Sequence, residues 1–304
     1  MTSSSKREDI CRRCSIVSKE MTVTYYHHSG FSVTSGDVLL VFDYWTGKQT
    51  RLAESLRITP EYISSFREVY VFISHDHVDH CDDVVYSWEQ YAPVTYIIAA
   101  DMDEKYRGRR IEPGGETQLS DRVHVKAYGS TDAGVSFMVT LDGVRFFHAG
   151  DLNFWHWREV CSAKQIAMAD EDFRTEVMPL QGEDIDVCFF PVDPRMGVMF
   201  DAGANYFIMT VKPRLLLPMH FWGRGDIINE FARRARTRET EVVPLVKQGQ
   251  PIRLEFEDDG FMNIVMMPAP VTPGSSTPVD TTVSLEGYEG ADPFLETDLP
   301  VDME

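Results

Sequence analysis

The stretch VFISHDHVDHC, Val71 to Cys81, sets His75, His77, Asp79 and His80 close together, straight after an apolar, strand-forming run. HDHVDH holds three histidines and two aspartates, in a chain with only nine histidines, which is more than a solvated loop assembles by chance. On extended backbone, residues two apart face the same way, so His75 and His77 can share one ion. Asp79 and His80 follow on a turning chain and can aim at a second ion beside the first. Neutral imidazole suits zinc, iron and related metals, and a carboxylate adds the charge that holds a divalent ion. Such a centre activates water and polarises a carbonyl or phosphoryl oxygen, which is the chemistry of metal-assisted hydrolysis.

Further candidate ligands lie far along the chain, each at the end of an apolar run. FFHAGD places Asp151 after Gly150, where a carboxylate could bridge two ions, and LLLPMHFW presents His220. Ligand sites in layered α/β proteins concentrate at such strand ends. Each is weak alone, because a single histidine after a strand more often has a structural role. Together with the first cluster they make a metal centre the leading expectation.

With these residues in place, the chain resembles the metallo-β-lactamase-fold hydrolases over about residues 22 to 265. The resemblance rests on SHDHVDH as the HxHxDH motif, HAGD as the later Gly-Asp motif and PMH as the final histidine. HHSGF and PGGETQL also look like that superfamily, especially its lactonase- and phosphodiesterase-like branch. The resemblance implies a four-layer αββα sandwich with a metal centre along one edge. It assigns His75 and His77 to one metal position and Asp79, His80 and His220 to the other, with Asp151 bridging. It also makes Asp79 the catalytic residue that orients the nucleophile and accepts its proton. The activity implied is hydrolysis of a small ester, lactone or phosphodiester by a metal-bound hydroxide.

One departure from the family pattern concerns the third histidine of the first position. Its place falls near Gly129, Ser130 or Thr131, where no histidine stands, and His124 lies too early, inside a strand. Three readings follow: Asp132 replaces it, the position is closed by water or left weak, or a ligand comes from elsewhere. A carboxylate there would shift the preference from zinc toward iron or manganese.

Other residues carry two readings each. Trp155 and His156 in DLNFWHW either open a helix packed on the sheet or form a substrate wall with His156 as a donor. Arg195 in FFPVDPRMG suits a substrate carboxylate or phosphate, or else locks its own loop by pairing with Asp193. His28 reads as support beside the site or as a buried structural histidine. Cys81 lacks an activating base and reads as packing.

These side chains need elements to carry them. Strands are expected at TVTYYHH, GFSVTSG, DVLLVFDYW, EVYVFIS, VTYIIAA, RVHVKAY, VSFMVTL, VRFFHAG, DVCFFPV and PRLLLPMH. Asp142-Gly143 marks a hairpin. Helices are expected near 60–68, where Thr59-Pro60 offers a cap and first turn, and over about 154–178, 202–211 and 225–236. The order suggests two sheets with helices outside.

A chain of 304 residues with 43% apolar and 12% aromatic content is enzyme-sized and able to bury a large core. Residues 1–20 read as a polar leader, 21–267 as the catalytic domain, and 268–304 as an acidic, Pro/Ser/Thr-rich disordered tail. Five scattered cysteines are no disulfide framework, and Cys11 and Cys14 have CxxC spacing without a second pair. With neither a membrane-length apolar run nor a secretory signal, a cytoplasmic protein is expected. The net charge of −19 disfavours nucleic acid, so a nuclease or RNA-processing enzyme is a rival reading. A metal-depleted binding protein is another, and an iron-dependent redox enzyme a third. The expected cofactor is one or two divalent transition ions, zinc first, with iron or manganese as alternatives. The expected partner is a small-molecule substrate, with no membrane; a homo-oligomer is left open.

Overall fold

The computed structural model of the protein describes residues 17–48, 51–258 and 260–270. The leader reading for residues 1–16, with Cys11 and Cys14, and the tail reading for 271–304 lie outside these. The first strand begins at Val17, inside the stretch that reads as leader.

Two β-sheets form the centre. The first contains β1 (Val17–His27), β2 (Gly30–Ser35), β3 (Val38–Phe42), β4 (Glu68–Ile73), β5 (Val94–Ala99) and β6 (Arg109–Ile111). The second is built from β7 (Glu116–Gln118), β8 (Val123–Tyr128), β9 (Ser136–Leu141), β10 (Val144–His148), β11 (Val187–Pro191), β12 (Leu215–Met219) and β13 (Glu241–Val242). The chain then returns to the first sheet, where β14 (Gln250–Glu257) pairs with β1, and β15 (Met262–Met266) forms the edge. β13 to β15 and the short β6 and β7 go beyond the strands expected from sequence. In β14, Arg253, Glu255 and Glu257 alternate with buried Ile252, Leu254 and Phe256 and so interrupt any apolar run.

In each sheet a run of parallel strands, β3-β4-β5-β6 and β10-β11-β12-β13, brings several C-terminal strand ends to one edge. β3, β11 and β12 are buried at every position, as strands covered on both faces must be. Phe189 of β11 packs across to Phe31 and Phe42 at ring distances of 4.4 and 5.7 Å, and Phe72 meets Phe137 at 5.5 Å, so the two sheets share one aromatic core. Its neighbour Phe190 points the other way, 4.7 Å from Phe207 of the helix Ala202–Thr210. Burying a phenylalanine side chain contributes about 1.5–3 kcal/mol, so these rings dominate the packing between layers.

Helices α1 (Pro60–Ser64), α2 (Ala163–Val177), α3 (Ala202–Thr210) and α4 (Gly225–Ala235) lie outside the sheets. Thr59 caps α1 by accepting from the Tyr62 amide, with Pro60 in the first turn, as its sequence predicts. α2 corrects the expected helix over 154–178, because residues 154–162 are not helical. Ser162 and Gln165 form a reciprocal capping box that fixes the helix start, and the aromatic stretch before it is tied down elsewhere.

The hairpin at Asp142-Gly143 joins β9 to β10, with both residues at positive φ (52° and 81°) as a tight two-residue turn requires. Asp142 also helps tie the two sheets together at the edge opposite the strand ends. Arg122 donates to both its carboxylate oxygens at 2.8 and 2.7 Å, to Asp37 at 2.7 Å and to the Ser35 carbonyl at 3.0 Å.

Candidate metal centre

β4 delivers Ser74 to the strand-end edge, and the chain then folds back on itself. The amides of His80 and Cys81 donate to the His77 carbonyl at 3.1 and 3.2 Å, and this tight turn returns Asp79 and His80 toward His75. Asp151 follows β10 through Gly150, whose φ is 54°; a Cβ there would stand 2.8 Å from the Ser74 Cβ. Only glycine allows this close approach of the two sheets. His220 leaves β12 at a left-handed φ of 61°, and His28, between β1 and β2, has φ of 52°. Asp43 and Trp222 share this conformation, so four of the six non-glycine residues of positive φ among those described lie at the site.

Two groups of ligand atoms result, each within 4.8 Å of one another: His28, Asp79, His80 and His220, all buried, and His75, His77, Asp132 and Asp151. We term them the inner and outer positions. Asp151 lies between them. Its Oδ1 is 3.1 Å from His80 Nε2 and 3.4 Å from His220 Nε2, and its Oδ2 is 3.4 Å from His75 Nε2. In the outer group His77 Nδ1 lies 3.8 Å from Asp132 Oδ2, and these side chains are 36% and 40% exposed against 1% for His75.

These side chains suit divalent cations. His28 Nε2, His75 Nε2, His80 Nε2 and Asp151 Oδ1 are buried atoms with no hydrogen-bond partner, although such groups are rarely left unsatisfied. Imidazoles and carboxylates converging on one spot are the donor set for zinc and its neighbours. The electrostatics agree. Burial alone would raise the Asp151 carboxyl, yet His80, His220 and His75 hold it well below its ordinary range. Burial opposes charge on His80, yet Asp151 and Asp43 raise it well above the ordinary imidazole value. Burial would likewise raise Asp79, and the imidazoles of His28, His80 and His220 around it keep it ionised. His28 is pushed down to about 3, by burial first and then by His220, so its ring is neutral and keeps a lone pair.

Behind the ligand atoms sits a second layer of hydrogen bonds that fixes ring orientation. Asp43 Oδ2 meets His80 Nδ1 at 2.8 Å and accepts from Ser74 Oγ at 2.6 Å, while its Oδ1 accepts from the Ser74 amide at 2.8 Å. Ser74 Oγ is also 2.9 Å from His75 Nδ1. Asp193 Oδ2 meets His220 Nδ1 at 2.9 Å and accepts from Trp222 Nε1 at 3.3 Å.

The remaining sequence candidates fall around this centre. Arg195 makes the loop-locking pair, donating through Nε and a terminal nitrogen to Asp193 Oδ2 at 3.0 and 2.8 Å and stacking 4.7 Å from the Trp222 ring centre. Trp155 stands at the site, its ring 5.5 Å from that of His220 and its indole donating to the Asp151 carbonyl at 2.7 Å. His156 is buried beside the site, stacked on Phe154 at 4.1 Å with Nδ1 3.0 Å from the Phe154 carbonyl. His124 points away to Glu116, 3.8 Å distant, and takes no part. Burial pushes the Cys81 thiol up to about 12, which suits packing and not nucleophilic attack. The sequence reading names neither Asp43, Ser74 nor Trp222. The available signal for Asp43 is a carboxylate ending the apolar run of β3.

The chain is similar in sequence and fold to several known proteins. Residues 22–170 match the family model described as the beta-lactamase superfamily domain. A UPF0173 metal-dependent hydrolase of Pyrobaculum calidifontis is 26% identical over 218 residues, covering 66% of this chain and 84% of that protein. One from Pyrococcus furiosus is 27% identical over 218 residues with the same coverage. Among solved structures, Igni18, a metallo hydrolase from Ignicoccus hospitalis, superposes with a TM-score of 0.58 at 20% identity, over 78% of this chain and 100% of that one. The metallo-beta-lactamase fold protein YhfI from Bacillus subtilis gives 0.50 at 16% identity, over 77% and 99%.

Proposed function

We propose that the chain, like the metal-dependent hydrolases and metallo-β-lactamase-fold proteins it resembles, is a metal-dependent hydrolase, and that its substrate is a small ester, lactone or phosphodiester, cleaved at the paired His/Asp centre. The observation that carries this reading is the convergence of buried, unpartnered imidazole and carboxylate atoms on two adjoining positions. Divalent ions bound there supply Lewis acidity and lower the pKa of a water toward neutrality. The chain's own residues do the rest. Asp151 faces both positions and spaces them. Asp79, held ionised, orients the attacking water and takes a proton on its carboxylate. Trp155, fixed by its bond to the Asp151 carbonyl, gives the substrate a flat apolar wall beside His220. Arg195 acts through Asp193 on His220 as a positioning residue, and buried His156 supports the aromatic loop.

The inner position, where the imidazoles of His80 and His220 outnumber the carboxylate of Asp79, favours zinc. The outer, with two of each, is harder and admits manganese or iron. The acidic net charge of −19 favours a small substrate over nucleic acid. Among the described residues no helix is long and apolar enough to cross a membrane.

The test is a screen of metal-loaded protein against lactones, aryl esters and cyclic or aryl phosphodiesters. Turnover of one class, lost on chelation and restored by metal, is the expected result. Metal-loaded protein inert toward all of them, yet cleaving RNA in a salt-dependent way, would replace this reading with the nuclease one.

A further inference from the structure

The tandem histidines of HHSGF diverge. His27 turns to Gln248, 3.2 Å from its Nδ1, and stacks on Trp45 at 5.0 Å. His28 turns the other way, into the site. A register shift in the β1–β2 pairing between Tyr25 and His27, followed by the left-handed backbone at His28, produces this re-aiming. Such a conformation costs on the order of 1–3 kcal/mol in a non-glycine residue and persists where the surroundings enforce it.

Once aimed, His28 is held firmly. It is 2% exposed, its ring centre lies 3.9 Å from that of His220 and 4.4 Å from Trp222, and its carbonyl accepts from the His220 amide at 3.3 Å. Its Nε2 is buried and lacks a hydrogen-bond partner; Asp79 Oδ2 comes within 3.2 Å, but not in hydrogen-bonding alignment. That nitrogen, the Asp79 carboxylate, His80 and His220 lie within 4.8 Å of one another. Two ligands of one ion, each about 2 Å from it, stand at most about 4 Å apart. A small contraction therefore gathers all four around a single cation.

We propose that His28 is a direct protein ligand of the inner metal position, joining Asp79, His80 and His220 through Nε2. The inference rests on the metal-centre reading but not on any substrate. It makes the two positions unequal in kind. The inner ion is enclosed by buried protein donors, so exchange with solvent, and the approach of a substrate oxygen, occur from the side of His77 and Asp132.

The test uses the full chain. Asparagine tolerates left-handed backbone, so His28→Asn preserves the turn, and circular dichroism checks that it folds. Staged chelation followed by elemental analysis should show the more tightly held ion weakened more than about 100-fold, beyond the 10- to 100-fold loss typical of a residue that only orients a ligand. The cobalt-loaded variant should show altered d–d absorption. Nitrogen NMR of the unaltered protein, loaded with a spin-half cadmium isotope, gives an answer independent of any variant, since a coordinated His28 Nε2 shows a metal–nitrogen splitting. Metal at both positions with no splitting at His28, or a variant with unchanged affinity and spectrum, would overturn the assignment while leaving the hydrolase reading intact. Protein that takes up no transition metal would overturn both.

Discussion

The two halves of the candidate metal centre are built by different means. Inner residues come from the strand-end edge of both sheets and are buried, and His80 and His220 among them rest on Asp43 and Asp193, which are themselves 1% and 0% exposed. The outer half shares His75 and Asp151 with that framework, but His77 and Asp132 stand on loops at the surface. Where both sheets converge, His80 and His220 each have a buried carboxylate behind them. Where one loop faces another across solvent, geometry is set by local turns alone. Ligands on rigid elements lose little entropy on binding a cation, whereas loop ligands must be ordered at that moment. The inner position should therefore bind first and exchange last.

Breaking the shared element has the largest expected effect. Asp151→Ala should empty both positions and lower hydrolysis by about a thousandfold or more, as expected when several kcal/mol of Lewis-acid stabilisation is lost. Elemental analysis that still finds two ions would show that Asp151 does not bridge. Next comes Asp43→Ala, which touches no cation yet strips His80 and Ser74 of their partner. It should weaken the inner ion by about 10- to 100-fold and lower stability by about 1–3 kcal/mol for the buried groups left unpaired. A loss at the outer position alone, followed by isothermal titration, would reverse the ranking of the halves.

Asp132→Ala should act on the outer position only. Roughly a tenfold loss of outer affinity, with the inner ion retained through dialysis, is the expected pattern for one exposed ligand. Equal loss at both positions would erase the distinction between them.

The smallest effect lies at the far edge. The hydrogen bonds and charge of Arg122 hold Asp142 below its ordinary range, against partial burial. A depressed folded pKa contributes stability above the unfolded value of about 3.9, lost as pH falls through the folded one. Asp142→Asn keeps the turn and should cost about 1 kcal/mol or less at neutral pH. The gap in Tm from the unaltered protein should close as pH drops below about 4. A gap constant with pH would mean that the tie is not ionic, and a change in metal content would mean that the two edges are coupled.

The division between halves also explains what the sequence disclosed. HDHVDH, HAGD and PMH were legible because each packs its chemistry into a few residues after an apolar run, and the αββα arrangement follows from the order of strands and helices. Asp132 was legible only as one of three alternatives, since a loop carboxylate has no periodic signature; the structure brings it beside His77. Asp43 was not legible, because its partners Ser74 and His80 lie 31 and 37 residues away and nothing local marks the pairing. The misplaced start of α2 has a similar cause. An aromatic run reads as helix by composition, while its tie to the Asp151 carbonyl exists only in three dimensions.

The left-handed backbone at His28, Asp43, His220 and Trp222 bears on how this protein can be altered. The backbone at each such position accepts glycine, asparagine or aspartate with little strain and resists β-branched residues, whatever chemistry they bring. The inner half is thus written in a restricted alphabet, and drift or engineering there meets the backbone before it meets the metal. His77 and Asp132 carry no such restriction. New metal preference or new specificity should therefore be acquired through these two, with the inner half inherited unchanged.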